Sequence, residues 1–482
     1  MSPRLATTMW DPLRTALIKG KHVVMFAGRL RPSSGRPRVS LLKMAGIQDR
    51  HWPVIETLQS SLLGLGVAAL GVAPRAVPGV LVCIAALTLA EEWYRGRPLA
   101  TGLASLAKSR TVQVAMLFLG YALLSTFWST DRWLGVRSVL HVAITFGATA
   151  ILVTLLPHQI ATLPLPRRNR FLRALPLGGL VAIAFILIEQ RTGNAVTIAL
   201  VNALPRLLAE TAKEAIRQDG RVVEFLGLAL SRNASAVIIA VPALVAAALC
   251  WLRPRASYLI GGLIVICAVI AALRSNSGAA KVASVAGVAV ALLAHWRPNS
   301  TIRALQIAIG AGVLLAVPLG HLPRALGLDH ADWLAPSARE RVIIWDTTAS
   351  AAMRAPLLGI GVQSTRFMPS ETVVIPGVNG ERRTLGWHAH NFILQAWLEL
   401  GAVGALLLLA LACTLMEALR SFNCAALVAG LATFAAGSAI ALTGWGLWQP
   451  WLIGCFGLAA VAVALASAGF AAQGLGDINL RR

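Results

Sequence analysis

Charged residues are scarce in this chain. Only 13% of its 482 residues are Asp, Glu, Lys or Arg, while 57% are hydrophobic and the mean hydropathy is +0.71. Soluble domains carry about 25% charged residues, so the composition excludes an ordinary soluble protein. The apolar residues also form runs close to the ~20 residues that cross a bilayer. The sequence therefore predicts an all-α, multi-pass membrane protein.

Other absences narrow the class further. The basic N-terminal arm, residues 1–56, lacks the compact apolar core and cleavage site of a signal peptide. No internal repeat and no second soluble domain are evident. The cysteines avoid the long polar loops, which excludes a disulfide framework there and indicates small buried hydrophobes. They are Cys83, Cys250, Cys267, Cys413, Cys424 and Cys455.

The apolar runs predict twelve helical spans. They cover roughly residues 57–72, 77–92, 111–127, 134–156, 172–189, 233–252, 256–273, 279–296, 303–320, 391–417, 423–443 and 446–468. The first two are short, and one broken hairpin around Pro74 and Pro78 is the alternative to two separate spans. Tryptophans near predicted span ends indicate an aromatic belt. They are Trp128, Trp133, Trp251, Trp296, Trp387, Trp445 and Trp448.

Basic residues set the expected orientation. More than half of the 43 Lys and Arg fall on one side of the predicted spans, which is the positive-inside pattern. This distribution favours a cytoplasmic location for both termini, the arm 1–56 and the tail 469–482, with the membrane domain 57–468 between them. The net charge of +23 is then a consequence of topology, and we expect membrane lipids but no nucleic acid as partners.

Several cations nevertheless fall on the predicted outer face. They lie in the loop 190–232, in the hairpin 273–278, just after that hairpin, and in the large loop 321–390: Arg217, Arg221, Arg232, Arg274, Lys281, Arg339 and Arg341. Guanidinium groups bind phosphate oxygens bidentately, so the set predicts an anion site. The alternative is that individual arginines reach lipid headgroups or pair with Glu224, Glu340 or Asp346.

A histidine pair precedes the tenth predicted span, in the segment His388-Ala-His390-Asn391. An ionisable group at the mouth of a membrane helix is costly and indicates function. Asn391 is a suitable N-cap, which places His390 at the positive end of the helix and favours a neutral ring at pH 7. A neutral imidazole beside an anion site suits a general base for a hydroxyl that attacks a carbon bearing a phosphate leaving group.

A metal site is the alternative for this histidine pair. The nearest carboxylates are Glu381 and Glu399, no third ligand is evident, and the chain has no Asp-x-Asp pair. We therefore expect no metal and no cofactor. Glu399, embedded in the span, is expected to orient a polar partner or to complete a buried hydrogen-bond network. Gly401 and Gly404 are expected to allow close helix packing.

These residues resemble the signature of the O-antigen ligase and O-antigen polymerase superfamily. The resemblance is carried by His390-Asn391 followed at fixed spacing by Gly401 and Gly404. It is supported by Arg341-x-x-x-Trp345 with Pro356-x-x-Gly359-x-Gly361, and by the stretch from Arg221 to Asn233-Ala234. The recognisable part covers residues 220–410. The resemblance implies a GT-C-like membrane fold with about twelve helices and one large periplasmic loop, 321–390.

The resemblance also implies a reaction. The donor would be a glycan on undecaprenyl pyrophosphate, and the transfer would be inverting and metal-independent. His390 matches the proposed base of the family, with Asn391, His388, Glu399 and Arg341 in support. Arg221 and Arg274 fall near the pyrophosphate-binding arginines. Arg232 is a rival of Arg221 for one role, and Lys281 is a substitute candidate because the hairpin reads Ser275-Asn-Ser-Gly278, where many relatives have Ser-Arg-Gly.

The acceptor stays open at this point. A ligase would pass the glycan to lipid A core, a polymerase to another repeat unit, and a protein-modifying relative to Ser or Thr. The span layout favours the ligase. A transporter or flippase for a lipid-linked glycan is the alternative from another class. Transporters place ionisable residues near the bilayer midplane, whereas the candidate polar site here lies at the outer face.

Overall fold

The computed structural model describes residues 48–96, 99–206, 215–225, 228–251, 254–375 and 380–472. Residues 1–47 of the predicted N-terminal arm and residues 473–482 of the predicted tail lie outside these ranges. Apart from residues 48–50, the helices and strands belong to one compact unit, His51–Arg482.

The described residues are mainly helical. The helices are α1 Gln48–Val72, α2 Val77–Tyr94, α3 Leu99–Lys108, α4 Arg110–Ser125, α5 Arg132–Ala161, α6 Leu165–Thr192, α7 Ala195–Ala203, α8 Leu228–Trp251, α9 Pro254–Arg274, α10 Gly278–Trp296, α11 Pro298–Leu314, α12 Ala316–Ala325, α13 Pro336–Ala352, α14 Phe392–Ala418, α15 Cys424–Thr443 and α16 Pro450–Ala471. Two antiparallel hairpins accompany them: β1 Ala215–Gln218 with β2 Arg221–Phe225, and β3 Thr372–Val374 with β4 Glu381–Arg383.

The predicted membrane architecture is confirmed. Within the described ranges, 11 helices are long and apolar enough to cross a bilayer, or 12 with one bent pair. The first two spans are separate helices of 20 and 21 residues rather than one broken hairpin. We call the membrane face that carries His390 the outer face, following the orientation predicted from the charges.

The ninth predicted span, 303–320, is not straight. It consists of α11 and α12, which meet at Leu315 with a bend of 75°. Pro318 explains the break, because a proline lacks the N–H that would bond to the carbonyl of Leu314 and its ring collides with that carbonyl. The chain therefore turns at the outer face and leads directly into the large loop.

The centre of the membrane core is formed by α8 and α16. Both are rich in alanine, and Ala236, Ala240, Ala243 and Ala247 of α8 are all almost completely buried. Small side chains let helix backbones approach closely inside a membrane. Around this pair pack α5, α6, α9 and α15. The cysteines do not share one environment, since Cys250 and Cys455 are buried here as expected whereas Cys83 is exposed.

Both large outer loops contain structure of their own. In the first, Glu189 is fully buried at the end of α6 and accepts hydrogen bonds from Val196 N and Thr197 N, which fixes α7. Asn202 of α7 then exchanges two 2.9 Å hydrogen bonds with the backbone of Val222 in β2. In the second loop, α13 packs against α12 and α14.

Gly401 has a different role from the one expected of it. It does not serve helix-to-helix packing but interrupts α14, with φ +63° and ψ −163°. This region of backbone conformation is essentially restricted to glycine. A Cβ at Gly401 would lie 2.4 Å from the carbonyl carbon and oxygen of Leu357. The close approach is therefore between the broken helix and an extended loop segment.

That segment is Pro356–Gly361, and its backbone replaces the helical hydrogen bonds that the break removes. Ile360 N donates to Leu398 O at 3.0 Å and Gly361 N to Glu399 O at 2.8 Å. In return, Ala402 N donates to Pro356 O at 2.8 Å. The hydroxyl of Tyr121 donates to the Leu400 carbonyl across the break. Backbone groups inside a membrane protein must be satisfied in this way.

We expect Gly401→Ala to destabilise the protein by about 2–5 kcal/mol, because it combines a glycine-only conformation with a backbone collision. Thermal unfolding of the purified protein in detergent measures the effect. Gly310→Ala is the matched control, since Gly310 lies within α11 and a Cβ there meets nothing within 4 Å. Equal melting temperatures for Gly401→Ala and wild type would contradict this account of the break.

Candidate functional site

The site begins at the N-terminus of α14. The side chain of Asn391 caps the helix as predicted, accepting from Ile393 N at 3.0 Å and from Leu394 N at 3.1 Å. His390 directly before it has φ +51°, a left-handed conformation that is uncommon for a non-glycine residue. The surrounding contacts must hold this conformation, and such strain is concentrated at functional sites.

One hydrogen bond defines the state of the His390 ring. Its Nδ1 lies 2.6 Å from the carbonyl oxygen of Gly444, in the loop between α15 and α16. A carbonyl only accepts, so Nδ1 carries the proton and donates it. In the neutral ring Nε2 then has a free lone pair. This is the tautomer that a general base needs.

The ring of His388 packs edge-on against that of His390, with centroids 4.1 Å apart. Burial is the main cause that lowers the pKa of His390 to about 4, and the positive charge of Arg341 lowers it further. Burial likewise lowers the pKa of His388 to about 3, with added effects of His390 and Arg366. Both rings are therefore neutral at pH 7. The helix dipole was the cause expected from sequence, but burial and arginine charge account for the neutrality here.

Two arginines next to the histidines are poorly solvated. Arg341, on α13, is partly buried, and burial lowers its pKa. The guanidinium carbon of Arg366 lies 5.8 Å from the ring centroid of Trp387. Within the described residues, the buried Nε atoms of both arginines have no hydrogen-bond partner. Buried donors without partners are costly, so an anion bound here would gain two guanidinium donors.

Arg232 lies beside the same loop that holds His390. It is 5% exposed in the second turn of α8, and its guanidinium carbon lies 5.5 Å from the ring centroid of Trp445 and 5.9 Å from that of Trp451. Trp445 directly follows Gly444, the hydrogen-bond partner of His390. Cation–π contact holds the guanidinium in a fixed position beside the loop that contains Gly444.

The hairpin between α9 and α10 meets this region as well. Ser277 caps α10, and its hydroxyl lies 3.2 Å from that of Ser235, one turn after Arg232. A Cβ built on Gly444 would lie 3.2 Å from the Cβ of Ala279. The exposed Arg274 and the partly buried Lys281 flank this hairpin. Arg232, Arg274 and Lys281 thus belong to elements that converge on Gly444.

Arg221 is placed differently. It is exposed on β2, and with Arg217 it lines a cavity of about 340 Å³ whose other walls come from α7 and the β-turn. Packing contacts of this hairpin within the described residues are made with α7. Of the acidic residues considered as arginine partners, Asp346 pairs with Arg324 at 2.6 Å and with His321 at 2.7 Å.

Glu399 lies below the histidines in α14 and is completely buried. Its carboxylate accepts hydrogen bonds from Gln363 N at 3.0 Å, Thr365 Oγ1 at 2.6 Å, Gln395 Nε2 at 3.3 Å and Trp448 Nε1. The side chain therefore belongs to a network that joins three outer segments. In the described ranges, no three His, Cys, Asp or Glu side chains are arranged to hold a metal ion.

Several members of the site were missed by the sequence reasoning. Trp448 was assigned to the aromatic belt, yet it is 4% exposed and bonded to Glu399. Gln363 and Arg366 lie in the continuation of the Pro356–Gly361 segment and drew no attention. The sequence did contain a signal for the 444–448 loop, since Gly444-Trp-Gly-Leu-Trp-Gln-Pro450 combines glycine and tryptophan between two apolar runs.

Residues 262–409 match the family model described as "O-Antigen ligase". This range includes the hairpin, α13, the Pro356–Gly361 segment and the histidine pair with the broken helix. The chain carries a domain of the O-antigen ligase superfamily. The chain as a whole is a multi-pass, all-α membrane protein.

Curated relatives agree with this assignment. A protein of Rickettsia conorii named "Putative polysaccharide ligase" is 32% identical over 120 residues, which make up 24% of this chain and 29% of the relative. Similarly named proteins of Rickettsia felis and Rickettsia typhi are 31% and 30% identical over 120 residues, in each case 30% of the relative. The chain thus matches less than a third of the length of these relatives.

The His390 environment predicts a specific pH behaviour. The ring is neutral above about pH 4 and takes up a proton only when the pH falls below that value. Arg341→Gln removes a positive charge that disfavours the imidazolium, so the pKa of His390 should rise. Histidine-¹⁵N NMR, with the His390→Ala spectrum for assignment, measures it.

Arg354→Gln is the control for this titration, because Arg354 is exposed beyond the end of α13. It should leave the His390 pKa unchanged. A His390 pKa that stays constant or falls in Arg341→Gln would show that Arg341 does not set the charge state of the ring.

Proposed function

We propose that this protein transfers a glycan from undecaprenyl pyrophosphate to an acceptor hydroxyl at the outer face, most specifically as an O-antigen ligase acting on lipid A core. The observation that carries the proposal is the His390 ring, whose Nδ1–H is bonded to the Gly444 carbonyl while Nε2 keeps its lone pair. The match of residues 262–409 to the O-antigen ligase family model and the ligase names of the relatives support it.

The proposed chemistry is one displacement. The acceptor oxygen attacks the anomeric carbon, the bond from that carbon to pyrophosphate oxygen breaks, and the acceptor proton passes to His390 Nε2. Attack opposite the leaving group inverts the anomeric centre. Undecaprenyl pyrophosphate leaves with its charge stabilised by guanidinium groups. These groups supply the charge stabilisation, and the step is proposed as metal-independent.

Arginine charge and the low pKa of His390 are linked in this mechanism. Arg341 disfavours a proton on His390 while the site is empty. A bound pyrophosphate offsets that positive charge, so the pKa of the ring rises toward the operating pH. A base is most effective when its pKa lies near that pH. Donor binding therefore strengthens the base at the moment when it is needed.

For the pyrophosphate we propose Arg232 and Arg274, with Lys281 beside them. These residues lie on elements that meet the Gly444 loop. Arg341 and Arg366 have buried donors available next to the histidines. Arg221 is the weaker of the two rivals, because its hairpin packs on α7 and its cavity is lined from that side.

The orientation proposed for this reaction has both termini in the cytoplasm of a bacterium and the site on the periplasmic side of the inner membrane. The polar site lies at the ends of the spans rather than at their middle, which favours an enzyme over a transporter. A polymerase of the same superfamily would use the same donor chemistry. The experiment below separates these candidates.

We expect His390→Ala to lower glycan transfer at least about 100-fold, the usual contribution of a positioned base, while membrane insertion is retained. A deletion host complemented with each allele provides the measurement, with surface polysaccharide and lipid-linked pools read together. His295→Ala is the control, because His295 is exposed in the last turn of α10 at the opposite membrane face.

The pools identify the reaction. Long polymer stranded on undecaprenyl pyrophosphate above bare lipid A core identifies a ligase, and single repeat units without long chains identify a polymerase. Unchanged pools with His390→Ala would remove the base assignment and favour a transport role.

The arginine assignment has its own test. Arg232→Lys loses the bidentate fork and should raise the KM for the lipid-linked donor roughly tenfold or more, since a hydrogen bond to a charged group contributes about 1.5–3 kcal/mol. Arg221→Lys should have a clearly smaller effect. Initial rates of the purified variants, measured at varied donor concentration, show which of the two substitutions raises the KM more. A larger effect for Arg221→Lys would move the pyrophosphate to the hairpin cavity.

A further inference from the structure

The Glu399 carboxylate is not used by the transfer step, although it is the most completely hydrogen-bonded group near the site. A carboxylate has about four lone-pair positions, and four donors occupy them. Gln363 N and Trp448 Nε1 donate to Oε2, while Thr365 Oγ1 and Gln395 Nε2 donate to Oε1. Only the ionised form can accept from all four.

Two of these contacts lead to the loop that holds His390. Trp448 belongs to the 444–448 loop itself. Gln395 bonds to Glu399 through its amide nitrogen, and its Oε1 accepts from Leu447 N at 2.8 Å. The other end of the same loop is Gly444, whose carbonyl accepts the Nδ1 proton of His390 at 2.6 Å. In between, a Cβ on Gly446 would lie 2.8 Å from the His388 ring.

The remaining two donors come from a third segment. Gln363 and Thr365 follow directly on Pro356–Gly361, the segment that fills the helix break. Glu399 therefore stands between a rigid backbone unit on one side and the 444–448 loop on the other. The hydrogen bonds of His390 itself go to His388 and Gly444, so Glu399 reaches the ring through the loop.

We propose that Glu399 is a positioning residue for the transfer: it anchors the 444–448 loop through Trp448 and Gln395, so that the Gly444 carbonyl holds His390 in the Nδ1–H tautomer. This inference rests on the proposed function. It assigns the charge of Glu399 a defined role, because an uncharged acceptor cannot satisfy the four donors. Glu399 thus keeps the Nε2 lone pair of His390 available to the acceptor without touching substrate itself.

Glu399→Gln tests the role with almost no change in volume. The amide offers one oxygen and one NH₂ group. On one side of the network the donors would therefore face the NH₂ group, which cannot accept a hydrogen bond. The loop loses its anchor, and the ring is free to adopt the other tautomer or to turn. We expect kcat to fall about 100-fold, the loss that follows a misplacement of about 1 Å, with little change in the KM for donor.

Histidine-¹⁵N NMR provides the readout that a merely structural role would not move. In the wild type the His390 signals should report a protonated Nδ1, and in Glu399→Gln that signature should be lost or averaged. Glu91→Gln is the matched control: Glu91 of α2 is also buried, is ion-paired with Arg95 just after the helix, and lies at the opposite membrane face. It should preserve both kcat and the His390 signature.

A second variant covers the possibility that Glu399→Gln does not fold. Trp448→Phe removes the indole N–H that the loop donates to Glu399 and leaves Glu399 with its other three donors. It should reduce kcat with the same tautomer change, whereas Thr365→Val, on the far side of the carboxylate, should cost much less. Wild-type kcat in Glu399→Gln or Trp448→Phe, or a kcat loss with an unchanged His390 tautomer, would overturn the proposal.

The result is separable from that of the proposed function. If His390→Ala transfers glycan normally, the base assignment itself fails, whatever Glu399→Gln does. If His390→Ala is inactive and Glu399→Gln is fully active with an intact tautomer signature, the proposed function stands and the positioning role is wrong.

Discussion

The break of α14 at Gly401 is the constraint on which the candidate site depends. A helix inside a membrane normally satisfies its own backbone, and here that pattern is interrupted within the span. The segment Pro356–Gly361 supplies the missing partners through backbone hydrogen bonds in both directions. Because an unsatisfied group in this setting costs several kcal/mol, loop and helix are locked in one register. Gln363 and Thr365, which follow Gly361 directly, are thereby brought to the Glu399 carboxylate.

The lock explains why two short motifs far apart in sequence form one unit. Gly359 and Gly361 have positive φ, and a Cβ on Gly359 would collide with the backbone of Glu399 at 2.4 Å. Gly401 meets Leu357 in the same way from the other side. The glycines of both motifs therefore serve a backbone-to-backbone contact. Their spacing reflects the geometry of that contact, and Glu399 is brought next to Gln363 and Thr365 as a result.

Above this unit, electrostatics and burial act together on His390. Burial alone favours a neutral ring, and the nearby arginine charge adds to the effect. Clustering cations around a neutral base is unfavourable for a protein by itself, since Arg341 and Arg366 keep buried donors that have no partner among the described residues. An anionic substrate supplies the missing charge and the missing acceptors. The arrangement is thus completed by the ligand class that the proposed function requires.

The spans, the N-cap of Asn391 and the expectation of a polar site at one membrane face all came from the sequence. Each depends on local information, namely apolar run length, capping chemistry and charge placement. The neutral state of His390 was also predicted, although with the helix dipole rather than burial as the main cause. The proline-induced bend at Leu315 was not foreseen, even though Pro318 carries the signal for it.

The tertiary structure alone decided how separate segments meet. The Gly444 carbonyl fixes the His390 tautomer, Trp448 bonds to Glu399, and Arg232 rather than Arg221 lies beside this loop. These contacts join residues up to 213 positions apart. No local pattern encodes such pairings, because they depend on which helix ends share a membrane face and how closely small residues let those helices pack. The sequence by itself determined which chemistry is available, and the packing of α8, α14, α15 and α16 determined where that chemistry is brought together.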